Sequence, residues 1–232
     1  MPVAVVDSFA ELARRPFAAG ADGIDGVNAL CWPRSLDGDF EEIARLLAPT
    51  DGVVEVTADD LRALPLGAAG RRAADLLLAD MHQLDALGRD PVLNCITRYE
   101  RDERGLAIAT DVYSFHADRA PVAYDTWLCT YAGKSSDGLE HRDARRRIDD
   151  PAIAAALRLH HRDLDDAQFR ALVRDESFDL HYDAVAGAQP YAFGVGAMWR
   201  IAVDWPGSAV LPCLHRAPRT HAGDPPRLLL IC

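Results

Sequence analysis

Pro91 divides the chain into two patterns, and any fold must accommodate both. Before it, apolar residues recur at helical spacing. Asp7 and Ser8 precede Phe9, Leu12 and Ala13, and Asp37 to Leu47 carries Phe40, Ile43, Leu46 and Leu47. Thr57 to Asp60 forms an N-cap before Leu61, Leu64 and Leu66. The strongest helix runs from Arg71 to Leu87, with Gly88 and Pro91 as its stop. Between the first two helices, Ala21 to Gly38 is rich in Gly and Asp, with Cys31-Trp32-Pro33-Arg34 as a short extended piece. Residues 1–90 therefore read as mainly helical.

After Pro91 strand formers take over. Val92 to Tyr99 reads as a strand, Arg101 to Gly105 as a turn, and Thr110 to Phe115 as a strand entering His116. Tyr124 to Tyr131 alternates as a strand, and Gly133 to Gly138 turns the chain. His141 to about Val173 returns to helix. There Arg142 to Arg147 reads as a solvated charged surface, and Asp150-Pro151 opens a helix with Pro at its favoured first position. Asp163 to Arg174 is a further helix with Phe169 and Leu172 inward. Ala192 to Trp205 and Ser208 to Leu214 are extended again, Pro218 to Pro226 is a loop, and Arg227 to Cys232 is a closing strand. With no internal repeat or linker, one α+β domain over 1–232 is expected. Its expected form is a cupin-like jelly roll, or double-stranded β-helix, with a helical cover (1–90) and a helical insertion (about 141–175).

Composition excludes some partners. A formal net charge of −11 disfavours nucleic acid and anionic membrane surfaces. No apolar run approaches bilayer-spanning length, and Met1 to Asp7 lacks the basic start and long apolar stretch of a signal peptide, so a cytoplasmic location is expected. The five cysteines are scattered, with no CxxC, which fits reduced buried thiols rather than a zinc ribbon or a redox pair.

The chemistry concentrates at His116-Ala117-Asp118. On a strand, residues i and i+2 share a face, so this imidazole and carboxylate aim at one point. They are two thirds of a two-His-one-carboxylate facial triad, the set that holds non-haem Fe(II) and leaves three positions open. His215, on a distant strand, is the candidate third ligand. The plainer alternative is a hydrogen-bonded pair in a sheet with no metal. The remaining histidines carry less. His160 and His161 are adjacent on a helix and do not face each other. His82, His141, His181 and His221 read as surface groups or as groups behind the ligands. Trp127, Trp199 and Trp205 read as core. Arg119, Arg200 and Arg216 flank the site and read as surface or ion-paired side chains.

Asn94 to Cys232 resembles the Fe(II)/2-oxoglutarate dioxygenases of the double-stranded β-helix class, which carry HxD, a distal His, and a basic residue for the cosubstrate's far carboxylate. By that resemblance, His116, Asp118 and His215 match the metal ligands, and Arg227, first residue of the strand after the distal His, matches the 2-oxoglutarate anchor. The gap from His215 to Arg227 is slightly longer than usual, which keeps Arg219 and Lys134 as rival anchors. Segments such as Asp111 to Pro121 and Cys213 to Pro218 also resemble a bacterial family of domains of unknown function, family 1826, over most of the chain. The dioxygenase resemblance implies O2 as a reactant and conversion of 2-oxoglutarate to succinate and CO2, coupled to hydroxylation of a small-molecule or peptide substrate. The Asp at 118 points away from halogenation. Two further readings stay open: a cupin-like metalloenzyme that does not use 2-oxoglutarate, and a non-catalytic metal-binding jelly roll.

Overall fold

The strand Arg227–Ile231 (β13) is apolar at four successive positions because both of its faces are covered. Leu228 and Leu230 pack under helices, while Leu229 turns to the other side. Such two-sided burial removes the usual alternation of a half-exposed strand. The computed structural model describes residues 2–20, 26–221 and 223–232. The Gly- and Asp-rich stretch expected from Ala21 therefore lies partly outside the described residues, at 21–25.

The fold is mixed α+β with two large sheets, one of them curled into a half-barrel. The first sheet contains Val3–Val5 (β1), Ala29–Trp32 (β2), Val53–Val56 (β3), Val92–Ile96 (β4), Asp125–Ala132 (β6), Met198–Ala202 (β11) and β13. Their spatial order is β1-β2-β11-β6-β13-β4-β3. The second contains Phe115–His116 (β5), Asp137–Leu139 (β7), Ala144–Arg146 (β8), His181–Ala184 (β9), Tyr191–Ala192 (β10) and Leu214–Arg216 (β12), in the order β10-β7-β12-β5-β9-β8.

Four helices cover the first sheet: Phe9–Arg14 (α1), Phe40–Leu47 (α2), Ala58–Ala63 (α3) and Ala68–Asp85 (α4). Two starts follow the expected caps: Ser8 accepts from the Glu11 N–H, and Thr57 with Asp60 forms a full capping box. Asp39 caps α2 by accepting from the Glu42 N–H, and α4 begins at Ala68, ahead of the expected Arg71, on Gly67 with no side-chain cap. Leu12, Ile43, Leu61, Leu77 and Leu84 meet Leu93, Trp127, Leu228 and Leu230 in the main core. A second core lies on the other face of this sheet, around Ile96, Leu128, Trp199, Ile201, Cys213 and Leu229. Two more helices, Pro151–His160 (α5) and Asp166–Asp175 (α6), form a separate small core with Ile108 and Phe178. Among the described residues no helix is long and apolar enough to cross a membrane.

Three local expectations change. The mainly helical first 90 residues also supply β1, β2 and β3; β3 is a largely exposed edge strand, too short and too polar-flanked to stand out from helix caps on either side. The insertion opens with β8 before its helices. The strand expected from Thr110 shrinks to β5, because the Asp111 carboxylate accepts from the Tyr113 N–H and the Ser114 hydroxyl bonds the Asp111 carbonyl, folding this stretch into a turn.

Cover and sheet are locked by one buried ion pair. Arg34, just beyond β2, meets Asp80 of α4 through both Nη atoms, at 2.9 and 2.8 Å. The Tyr131 hydroxyl of β6 donates to the same carboxylate. Asp80→Ala leaves Arg34 buried without its counter-charge, so chemical denaturation should show a loss of about 3–5 kcal/mol. Removal of the exposed Arg62–Asp59 pair should stay within about 1 kcal/mol.

Candidate metal centre

β5 and β12 are neighbours, antiparallel, with His116 directly across from His215. Cross-strand partners project to the same side, so the two imidazoles stand together, ring centroids 4.6 Å apart. Asp118 follows two residues after His116, and its Oδ1 lies 3.9 Å from His116 Nε2 and 3.7 Å from His215 Nε2. One ligand atom from each residue falls within 4.8 Å of the others. The expected trio is thus brought together: sheet register pairs the two histidines, and Asp118 joins them from just beyond the end of β5.

Each ligand is oriented by a partner on its far side. His116 Nδ1 lies 2.9 Å from the Ser114 carbonyl, and His215 Nδ1 lies 3.4 Å from the Cys213 carbonyl. A carbonyl only accepts, which assigns the proton to Nδ1 and leaves the Nε2 lone pairs pointing at the shared centre. Thr126 Oγ1 donates to Asp118 Oδ2 at 2.7 Å, leaving Oδ1 for the centre. Oriented imidazoles with fixed tautomers and a held carboxylate are what a metal-ligand set requires.

The electrostatics agree. Burial, and then the charge of His215, lowers the His116 pKa to about 4, so its ring is neutral at pH 7. Burial alone would raise the Asp118 carboxyl, but His215, His116 and the Thr126 hydroxyl together outweigh it and hold the group below its ordinary value. His181, expected at the surface or behind the ligands, lies behind them. It is buried, pairs with His116 from the other neighbouring strand β9, and holds the Ser114 hydroxyl at 2.7 Å through Nδ1. Burial, and then the charge of His116, lowers its pKa to about 4 as well.

The three ligands line a cavity of about 210 Å³ whose walls are mostly apolar, with Ile96, Leu128, Leu229 and Ile231 among them. No residue of 141–190 lines it, and of the described residues among the first 90 only Val53 does. Arg227 lines it too. The side chain is 3% exposed and donates to Tyr99 Oη (3.0 Å), Thr130 Oγ1 (3.0 Å) and Ser136 Oγ (2.8 Å), all neutral oxygens. Its Nε has no partner, and no carboxylate pairs with it among the described residues. Burial lowers its pKa, opposed by Tyr99.

The rival anchors sit elsewhere. Lys134 Nζ is 2.7 Å from Asp224, and Arg219 is exposed on the rim of a different cavity. Arg119, Arg200 and Arg216 are ion-paired, to Asp179 and Asp204, to Asp125, and to Asp137. Sequence reasoning missed Thr126, Thr130, Tyr99 and Ser136. The signal for two of them was present: in β6, Thr126 and Thr130 take every second position with Leu128 between, a polar stripe on a strand buried along its whole length. No protein-family model, curated protein or solved structure matches the chain.

Metal-free protein should be acid-labile. Unfolded, His116 and His181 titrate near 6.5; folded, near 4. Between those values the unfolded chain binds more protons. Stability should therefore fall as pH drops from 6.5 towards 4, by a few kcal/mol, on the order of one per shifted pH unit per histidine, and the histidine contribution should be spent below that, where protonation of carboxylates held low, such as Asp118, takes over. Denaturant titrations at fixed pH test this. A flat profile across the window would place both rings in water.

Proposed function

We propose that this chain is a non-haem Fe(II)- and 2-oxoglutarate-dependent oxygenase on a double-stranded β-helix. Strand alternation supports the fold reading. In chain order, β4, β6, β11 and β13 fall in the first sheet and β5, β7, β10 and β12 in the second. The sequence runs first, second, first, second, second, first, second, first, so the chain winds between two facing sheets as in a jelly roll. β8 and β9 extend the second sheet beyond β5.

The observation that carries the functional reading is Arg227. A buried guanidinium with no counter-charge among the described residues faces the same cavity as a His-Asp-His trio. Desolvating a lone cation costs several kcal/mol, and an incoming carboxylate would offset it. A dicarboxylate with a 2-oxo group suits both ends of this cavity.

The donor set fits a divalent iron: two imidazole nitrogens and one carboxylate oxygen, on one side of a shared point. When bound, Fe(II) supplies open positions for a 2-oxo acid and O2 and the redox chemistry of oxidative decarboxylation. The chain's own residues bind and orient. Tyr99, Thr130 and Ser136 fix the guanidinium plane, so Arg227 meets a carboxylate in a set direction. Thr126 keeps one Asp118 oxygen engaged and the other aimed inward. The apolar walls exclude water, which strengthens every charge interaction inside. The primary substrate is a small molecule or peptide.

Anaerobic titration with Fe(II), with and without 2-oxoglutarate, tests the reading. A weak visible charge-transfer band should appear only with both, and aerobic turnover should yield succinate. His116→Ala and Asp118→Ala should abolish metal binding. Arg227→Gln should keep the metal and weaken 2-oxoglutarate by about a hundredfold, the loss of a two-point charged contact. Metal binding with no response to 2-oxoglutarate would indicate a metalloenzyme of another kind. Tightly held zinc with no oxygen consumption would indicate a non-catalytic domain.

A further inference from the structure

A second cavity, of about 310 Å³, lies behind β5. Phe115 lines it where His116 lines the first, and successive strand residues point to opposite faces. In a chain of net charge −11, its wall carries three guanidinium groups, those of Arg101, Arg216 and Arg219. Two lie over aromatic rings: the Arg101 Cζ is 3.7 Å from the Tyr113 centroid and that of Arg216 is 4.3 Å from the Phe115 centroid. Such cation–π contact holds the charged group at the ring and uses none of its N–H donors.

Most of those N–H groups find no acceptor among the described residues. Arg216 gives Nε and Nη2 to Asp137, leaving Nη1 over. The nearest carboxylate to Arg101 is Asp111 at 3.8 Å, beyond hydrogen-bond range. Arg219 has no acceptor among the described residues. The two acids on the wall face other donors. Asp111 accepts from the N–H groups of Asp102 and Tyr113, and Asp183 lies 3.5 Å from Arg147.

We propose that this cavity binds a phosphate monoester. Two open guanidinium forks, those of Arg101 and Arg219, with the spare Nη1 of Arg216, all lining one cavity, suit the three terminal oxygens of a phosphate better than the two of a carboxylate. The volume exceeds that of one oxyanion, and Phe115 and Tyr182 give the organic part an aromatic wall. This site stands apart from the metal-centre reading.

Calorimetric titration of the whole protein with phenyl phosphate and with inorganic phosphate tests it. Phenyl phosphate should bind saturably at one site, and more tightly than inorganic phosphate. Arg101→Gln and Arg219→Gln should each weaken it about tenfold, one charged hydrogen bond apiece. Both side chains are exposed, so the melting temperature should hold. Arg98→Gln, on an exposed pair with Asp51, should change nothing. Absence of saturation, or an equal loss in Arg98→Gln, would overturn the site. Equal affinity for inorganic phosphate would overturn the ester. Loss of Co(II) binding in the Arg101 or Arg219 variant would place the effect at the metal centre and overturn the separate site.

Discussion

The register of β5 against β12 governs the centre. Because a strand alternates with period two, a slip of one residue would carry His215 to the face that holds Phe115 and leave Leu214 opposite His116. β5 has only two residues and cannot set that register alone. It is clamped on both sides, by β12 and by β9, and fixed at its ends by the Asp111 turn and by the Ala117 N–H on the Leu180 carbonyl. The Ser114 hydroxyl on His181 ties the turn to the neighbouring strand. β9 follows the helical insertion, and it holds the HxD strand in place.

Arg227 is the other expensive feature. It starts a strand that is otherwise apolar and lies in the middle of the first sheet, between β6 and β4. Hydroxyls from three different segments surround its guanidinium, and none brings a charge. A protein selected for stability alone would do better with an apolar side chain here. The oxygenase reading gives the arginine a reason: its counter-charge would arrive with the cosubstrate.

A bare HxD is common, and the metal trio was legible in the sequence because a strand pattern led into His116, a second histidine preceded the last loop and strand, and the whole resembled the dioxygenase pattern; Asp118 in fact lies just beyond β5. Two helix starts were legible because Ser8 and Thr57 are capping residues that act locally. What escaped depends on long-range pairing. β3 exists because Val53 to Val56 finds β4, some forty residues later in the chain, a partner no local pattern names. The polar shell of Arg227 gathers Tyr99, Thr130 and Ser136 only once the sheets form, and an isolated Tyr or Ser carries no sign of that role. The run from Thr110 looked extended because Val112 and Tyr113 favour strands, but the Asp111 side chain satisfied the backbone first.

The place of β13 also bears on how the molecule is made. Both of its partners, β4 and β6, precede it in the chain, and they lie on either side of it with no bond to each other. Until β13 is synthesised, each presents an unpaired row of N–H and C=O groups along apolar residues, the kind of open edge that recruits other chains. The cover helices cannot close their core either, since Leu228 and Leu230 are part of it. A nascent chain that stalls short of Arg227 would therefore be sticky and half-built, and the central strand acts as a late key that shuts the sheet.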